Sequence, residues 1–437
     1  MTPPLWTPGN RRGALTSPAL DRRTFLRGAG LGLAGLAGAA LLGCSDDGAD
    51  EGEGGATTTA TGTAGAATST AAVGGTAAAG GEIEKTELRV GYLPITDSTP
   101  LVLAHGLGYY EEAGLKPSDP TLFRGWSQVA EAFQARQVDV VHLLMPMAIW
   151  LRFGQDFPLK LVAWNHTGGS ALTVANDVNS LADLSGTTVG IPFWYSIHNV
   201  VLQMLLRDAG LEPITTGEPG DGQVKLIVMA PPDMPPGLAN GSIAGYIVAD
   251  PFNAVAEVNQ VGKVLRFIPD VWLDHACCVA VMHEDDVTNR PNWAQAVVSS
   301  LARAQVYARE NRQEAARLLS GDGNNYLPQP RAVIERALTH YDVDEYGPTG
   351  AIQHPDWNTE RIDFQPFPYG SYTEALIRQL KETVVEGDNA FLQDLDPAEA
   401  HSLLVDDRYA RAAIEAAGGA DRFGIDGGLT RDERIEV

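Results

Sequence analysis

The sequence predicts an α/β protein of two lobes, each a mostly parallel sheet flanked by helices, with two crossings of the chain between them. Three observations carry this. Apolar strands alternate with amphipathic helices from Leu88 onward, the alternation starts afresh near Ser180, and one more buried strand, Cys277–Met282, follows the second series. Strands alternating with helices build sheets covered on both faces. The expected boundaries are residues 84–179 for the first part of lobe 1, 180–271 for lobe 2, and 272–437 for the return to lobe 1 with C-terminal helices.

Each element follows from local pattern. Leu88–Leu93 reads as a buried strand, Thr96, Asp97 and Ser98 offer helix caps, and Pro100–Leu107 carries helical apolar spacing closed later by Gly114. Trp126–Gln137 reads as a helix, "VDVVHLL" as a buried strand, and Leu159–Trp164 as a third strand. In the second series Thr188–Ile191 is a strand, Phe193–Ser196 a turn, and Ile197–Ala209 an amphipathic helix closed by Gly210. "VKLIVM", a helix near Pro236–Gly241 and the strand-to-helix run "IAGYIVADPFNAVAE" complete that lobe. The helix "PNWAQAVVSSLARAQVYARE" and all that follows are expected to pack on lobe 1. Two such lobes make a clam-shell suited to closing on a small ligand.

The front of the chain has another character. "RRTFLRGAGLGLAGLAGAALLGC", Arg22–Cys44, holds two arginines, a weakly apolar run and a cysteine. The run is too short and too rich in Gly and Ala for a permanent span, which needs about 20 apolar residues. Arg22-Arg23 with Phe25-Leu26 resembles a twin-arginine export signal, and Leu41-Leu42-Gly43-Cys44 resembles a lipobox. The expectation is a signal peptide over residues 1–43 and lipidation at Cys44. Residues 44–83 are Gly-, Ala- and Thr-rich and cannot bury apolar surface, so they read as a flexible linker with ~30 Å of random-coil reach.

Charge narrows the partners. The 437 residues hold 31 Lys and Arg against 55 Asp and Glu, a formal −24. Removing residues 1–43 takes away five arginines and one aspartate and leaves about −28. Nucleic acid and anionic membrane surfaces are bound by Lys and Arg, so this chain is unsuited to both. An anionic ligand would need a local site working against the overall field. Of three cysteines, Cys44 is assigned to the anchor and Cys277-Cys278 are neighbours, so no disulfide framework or CxxC zinc pattern is present.

Candidate site residues cluster at strand ends. "PITDSTP" lies at the carboxyl end of the first strand, where open α/β sheets hold ligands, and Thr96, Asp97 and Ser98 serve either as caps or as oxyanion partners. "GIPFWYSIHN" repeats the arrangement in lobe 2, with Tyr195, Ser196 and His198 at a helix start. The helix dipole there favours a neutral imidazole. Trp126 stands at a strand-to-helix loop and reads as a cleft aromatic. Asp250 and Asn253 end a strand and open a helix. His275 stands beside Cys277 and Cys278 without further ligands at zinc-like spacing and without a positioned base, so metal binding and thiol catalysis are not expected. No GxxxxGK[ST], HExxH or GxSxG motif occurs, and no GxGxxG follows a predicted strand.

Four stretches carry a family resemblance: "GYLPITDSTPLVLAHGLGYYEEAGL", "RGWSQVAEAFQARQVDVVHLL", "IPFWYSIHNVVLQMLLRDAGL" and "GSIAGYIVADPFNAVA". They resemble the nitrate/bicarbonate/sulfonate/taurine family of ABC-transporter solute-binding proteins. The resemblance implies a type II periplasmic-binding-protein fold and a cleft lined by Thr96-Asp97-Ser98, Trp126 and Tyr195–His198, with Asp250 and Asn253 at its rim. It also implies permease and ATPase partners, no cofactor, no catalysis and a monomeric receptor outside the cytoplasm. Nitrate and bicarbonate binders carry an ionisable residue near "VWLDH", where this chain places Leu273. That departure points to a bulkier solute, an organosulfonate or a heteroaromatic compound. The alternative is an enzyme similar to the thiamine-pyrimidine synthases, which share this fold and use histidine and a cysteine cluster with iron.

Overall fold

The computed structural model describes residues 81–426 and 428–437. The expected signal segment, Cys44 and the linker up to residue 80 lie outside the described residues. No helix among the described residues is long and apolar enough to cross a membrane.

Lobe 1 is built on five strands: β1 (Val90–Tyr92), β2 (Thr121–Leu122), β3 (Val140–Leu144), β4 (Leu159–Trp164) and the late β11 (Cys278–His283). Their order is β2-β1-β3-β11-β4. Lobe 2 holds six strands: β5 (Ser170–Val174), β6 (Thr187–Ile191), β7 (Glu212–Ile214), β8 (Gln223–Val228), β9 (Gly245–Ala249) and β10 (Lys263–Phe267), in the order β7-β8-β6-β9-β5-β10. Each sheet contains one reversed strand, β11 in lobe 1 and β5 in lobe 2, antiparallel to both neighbours.

The reversed strands are where the chain changes lobe. Residues 165–169 lead from β4 into β5, and residues 268–277 lead from β10 back into β11. Reversal places the amino ends of β5 and β11 at the same sheet edge as the carboxyl ends of the others. The two expected crossings are therefore present, and their residues lie at the facing edges of the two sheets. A short ribbon, Thr167–Gly168 paired with Ile362–Asp363, braces the first crossing.

The apolar runs explain the strands. Val140–Leu144 and Gly245–Ala249 are buried along their whole length, as strands covered on both faces must be. Helices α1 (Thr99–Gly106), α2 (Trp126–Gln134), α3 (Ile197–Asp208), α4 (Phe252–Val258) and α5 (Pro291–Glu310) begin within a residue or so of their expected positions. Gly210 has φ +72°, the left-handed turn that ends α3 and that a Cβ would strain. The strands β5 and β10 were not expected. "SALTV" and "KVLRF" are short and lie next to polar turns, so neither stands out from a loop in sequence.

The C-terminal third departs from the expectation that all of it packs on lobe 1. Helix α6 (Arg331–Thr339) sets Val333 and Ala337 against Ala254 of α4, and Tyr346, Ala351 and Ile352 pack with Ala171, Val264 and Phe267 of lobe 2. The cause is a pair of apolar patches on lobe 2 that its own helices leave uncovered.

Candidate functional site

The facing edges of the two sheets bring together residues far apart in sequence. Thr96, Asp97 and Ser98 form a single 3₁₀ turn after β1, and all three are fully buried. Thr96 donates from its backbone N–H and from Oγ1 to the carbonyl of Asp250 in lobe 2, at 2.8 and 3.0 Å. Ser98 Oγ donates to the Ile95 carbonyl. Ser196 caps α3, its Oγ accepting from Asn199 N–H at 3.1 Å. The cap satisfies the first turn of α3, in which His198 lies.

The lobes meet in this conformation. Trp150 of lobe 1 stacks on Tyr195 of lobe 2 with centroids 5.4 Å apart and planes 12° apart. Arg124 and Asp233 pair at 3.4 Å across the lips. His198 Nε2 lies 3.0 Å from Ser170 Oγ and 3.9 Å from Cys277 Sγ, so a lobe 2 histidine reaches the second crossing.

Beneath these contacts lies a cluster of buried titratable groups. Asp97, His166, Cys277 and Cys278 each offer a ligand-type atom, and these atoms lie within 4.8 Å of one another. His142, His198 and His275 surround them, all buried. Asp97 Oδ2 is 2.9 Å from His166 Nε2. That contact has ion-pair distance without hydrogen-bond geometry, and Asp97 Oδ1 has no partner. Burial pushes the Asp97 carboxyl up, yet the positive charge of His166 outweighs it and holds the group down at about 2. Burial likewise pushes His166 down, and Asp97 more than reverses this, to about 10. Burial outweighs the pull of Asp97 on His142 and His275 and depresses both to about 3. The two thiols split. Burial raises both, but a hydrogen bond from the Cys278 thiol lowers Cys277, while Cys278 is left high.

The remaining predicted site residues have structural partners. Trp126 is 3% exposed, packs on His142 with centroids 5.4 Å apart, and leaves its indole N–H without a hydrogen-bond acceptor. Asn253 accepts from Thr173 Oγ1 and donates to the Val248 carbonyl. His275 Nδ1 contacts the Trp272 carbonyl at 3.1 Å and its Nε2 is free. Leu273 donates from its backbone to Arg434, beside the C-terminal segment. Asp250 receives the guanidinium of Arg361, Nε to Oδ2 at 2.7 Å and Nη2 to Oδ1 at 3.0 Å. Arg361 also reaches Glu257 at 3.0 Å and is 1% exposed.

Sequence reading missed His142, His166 and Arg361. His166 was within reach, because Leu159–Trp164 was read as a strand and "NH" stands at its carboxyl tip. His142 sits inside an apolar strand, where a histidine ordinarily packs. Nothing in "NTERIDF" marks Arg361 as a clamp.

The Arg361 clamp sets an acid limit. Burial raises the Glu257 carboxyl, but Arg361 and Arg336 outweigh it and hold it at about 2, below the ordinary 4.5. A carboxylate depressed in the folded state contributes stability that is complete above about pH 4.5 and lost as pH falls towards 2. Glu257→Gln should therefore flatten the pH dependence of unfolding free energy between pH 4.5 and 2, as measured by urea unfolding in a pH series. An unchanged slope would show that Glu257 is not held down in the folded state.

A cavity of about 550 Å³ lined by Asp177, Asp183, Glu218 and Ser242 opens at the other edge of the lobe 2 sheet. It contains none of these groups, so the chemistry lies at the facing edges.

Two α/β lobes, each with one reversed strand and a shared polar edge, define the periplasmic-binding-protein fold. The chain belongs to the NMT1-like family, whose model matches residues 81–320. It is similar to the nitrate/nitrite binding protein NrtA of Nostoc sp. PCC 7120, 24% identical over 287 residues covering 60% of this chain and 63% of that protein. The chain thus spans less than two thirds of that relative. The crystal structure of the periplasmic nitrate-binding protein NrtA from Synechocystis PCC 6803 superposes with TM-score 0.66 at 19% identity, covering 81% of this chain and 95% of that one. A ligand-binding component of an ABC-type import system from Staphylococcus aureus, solved with zinc bound, gives TM-score 0.59 at 21% identity over 75% and 99%. At these identities the structural likeness shows the fold.

Proposed function

We propose that the chain is the solute-binding component of an ABC importer, tethered outside the cytoplasm through a lipidated Cys44 and passing a small solute to permease and ATPase subunits. One observation carries this reading. Asp97 Oδ1, His142 Nδ1, His198 Nδ1, His275 Nε2 and the Trp126 indole N–H are buried polar atoms without partners, and their residues come from both lobes. Unpaired buried polar groups cost about 1–3 kcal/mol each, and a ligand that meets them recovers that cost. The NrtA and import-system relatives support the transport role. No bond-breaking step is required of the cleft. Affinity for the closed state over the open one performs the function.

The proposed solute is a small anionic or heteroaromatic molecule, with organosulfonates ahead of nitrate and bicarbonate. A thermal-shift panel of nitrate, bicarbonate, taurine, alkanesulfonates and pyrimidines tests it, since a ligand at a hundred times its Kd adds about 2.7 kcal/mol of stability. The reading fails if no member of the panel stabilises the protein. For the anchor, Cys44→Ala should move the protein from the membrane pellet to the soluble fraction, and persistent sedimentation would contradict lipidation there.

A further inference from the structure

We infer that Asp97, His166, Cys277 and Cys278 form a binding site for one thiophilic divalent metal ion of the Zn²⁺ class. The donor set is one carboxylate, one imidazole and two thiols, all fully buried and all within 4.8 Å of one another. Zinc sites take four such ligands in a tetrahedron at about 2.0–2.3 Å, which places neighbouring ligand atoms ~3.3–3.8 Å apart. The two sulfurs are already 3.9 Å apart, and the Asp97–His166 contact is 2.9 Å. Closing the remaining gaps needs shifts of about an ångström or less, within the reach of side-chain rotation.

The unsatisfied atoms point the same way. Asp97 is completely buried and neither of its carboxylate oxygens makes a hydrogen bond. His166 Nε2 faces the Asp97 carboxylate at 2.9 Å and also the Cys278 backbone N–H at 3.2 Å. A proton on Nε2 is not aligned on the carboxylate and opposes the Cys278 N–H, whereas without a proton there the nitrogen and the carboxylate oxygen set two lone pairs against each other. A cation accepts lone pairs from both groups and from the sulfurs at once. Thiolates select Zn²⁺-like ions over Mg²⁺ or Ca²⁺, which prefer an all-oxygen shell.

Loading displaces protons and transfers no electrons. The ion takes the place of the thiol protons and of the His166 proton, and these leave to solvent. The ligands arise from the β1 tip, the first crossing and the second crossing, so an ion here ties both connections between lobes to lobe 1. His198 of α3 stands 3.9 Å from Cys277 Sγ, next to that ion. The site forms the floor of the cleft assigned above to the solute. Its biological meaning rests on that assignment, but its coordination chemistry does not.

The test is Co²⁺ and Zn²⁺ titration of the full chain, reduced and stripped of metal. The expected result is one Co²⁺ per chain with a thiolate-to-metal charge-transfer band, displaced by one equivalent of Zn²⁺. The band should vanish in C277S/C278S and persist in Cys44→Ala. Asp97→Asn should weaken affinity by at least the ~10–100-fold seen on losing a supporting partner of a metal ligand. No band in wild-type protein with both thiols reduced, or a band that survives C277S/C278S, overturns the inference. If the double serine variant does not fold, alkylation of wild-type Cys277 and Cys278 decides, since one equivalent of Zn²⁺ should slow it and an unchanged rate refutes the site. The solute panel is run on the same metal-free and Zn²⁺-loaded protein. Metal binding without any solute response sinks the transport reading alone, and solute binding without metal sinks only this inference.

Discussion

Arg361→Met is expected to lower the unfolding free energy by about 3–5 kcal/mol, the cost of leaving a buried charge without its partner. The guanidinium is fully enclosed and holds Asp250 through two hydrogen bonds and Glu257 through a third. Removing it leaves Asp250 without a counter-charge in a low-dielectric interior, while Glu257 keeps its two hydrogen bonds from Arg336. Asp250 would take up a proton, so the loss should be greatest near neutral pH and smaller in acid, where protonation relieves the unpaired charge. The clamp also braces the β9 tip, whose Asp250 carbonyl accepts both Thr96 bonds from lobe 1. Urea unfolding at neutral and acidic pH measures the effect. A change below about 1 kcal/mol at neutral pH would mean that the pair is not desolvated as the geometry indicates.

Trp126→Ala is expected to cost a similar amount, about 3–5 kcal/mol, because it empties the space of a buried indole. Sequence alone makes Trp126 a cleft aromatic whose removal spares stability. Its 3% exposure and its packing on His142 make it a wall of the site as well as core. Trp126→Phe separates the two roles. It keeps most of the ring and should restore most of the stability, but it removes the unpartnered N–H. If that N–H meets the solute, Trp126→Phe melts near wild type and binds more weakly. Equal solute binding by Trp126→Phe and wild type would assign the indole to packing alone.

The fold was legible because its signals are local. A strand buried on both faces is a continuous apolar run, and "VVHLL" and "GYIVA" look like nothing else. Pro291–Glu310 carries one apolar face over 20 residues, and its bounds match the expected ones. The lobe exchange of residues 331–352 was not legible. Packing of Val333 on Ala254 depends on a patch left bare by another part of the chain, and no local periodicity records it.

The candidate site divides in the same way. Asp97, Ser196 and His198 stand at tips of strands and starts of helices that local pattern marks, so they were legible as candidates. The cluster was not, because its members come from three separate stretches and metal spacing is a signal only when ligands are close in sequence. His166 and Cys277 are 111 positions apart and become neighbours through two strands that each run against their sheet. His275 drew attention by adjacency to the cysteines, but it turns towards the Trp272 carbonyl while His166 takes the place beside the sulfurs.

The central claim is that two lobes close over a shared edge when a solute binds. Leu122 ends β2 on one lip and Val228 ends β8 on the other, 41% and 43% exposed. Nitroxide labels at Leu122→Cys and Val228→Cys, in a Cys44→Ala background, report their separation by pulsed electron resonance. A stabilising solute from the panel should convert a broad distribution into a single short, narrow one. Identical distributions with and without that solute would mean that the lobes do not move and that ligand capture here is not by closure.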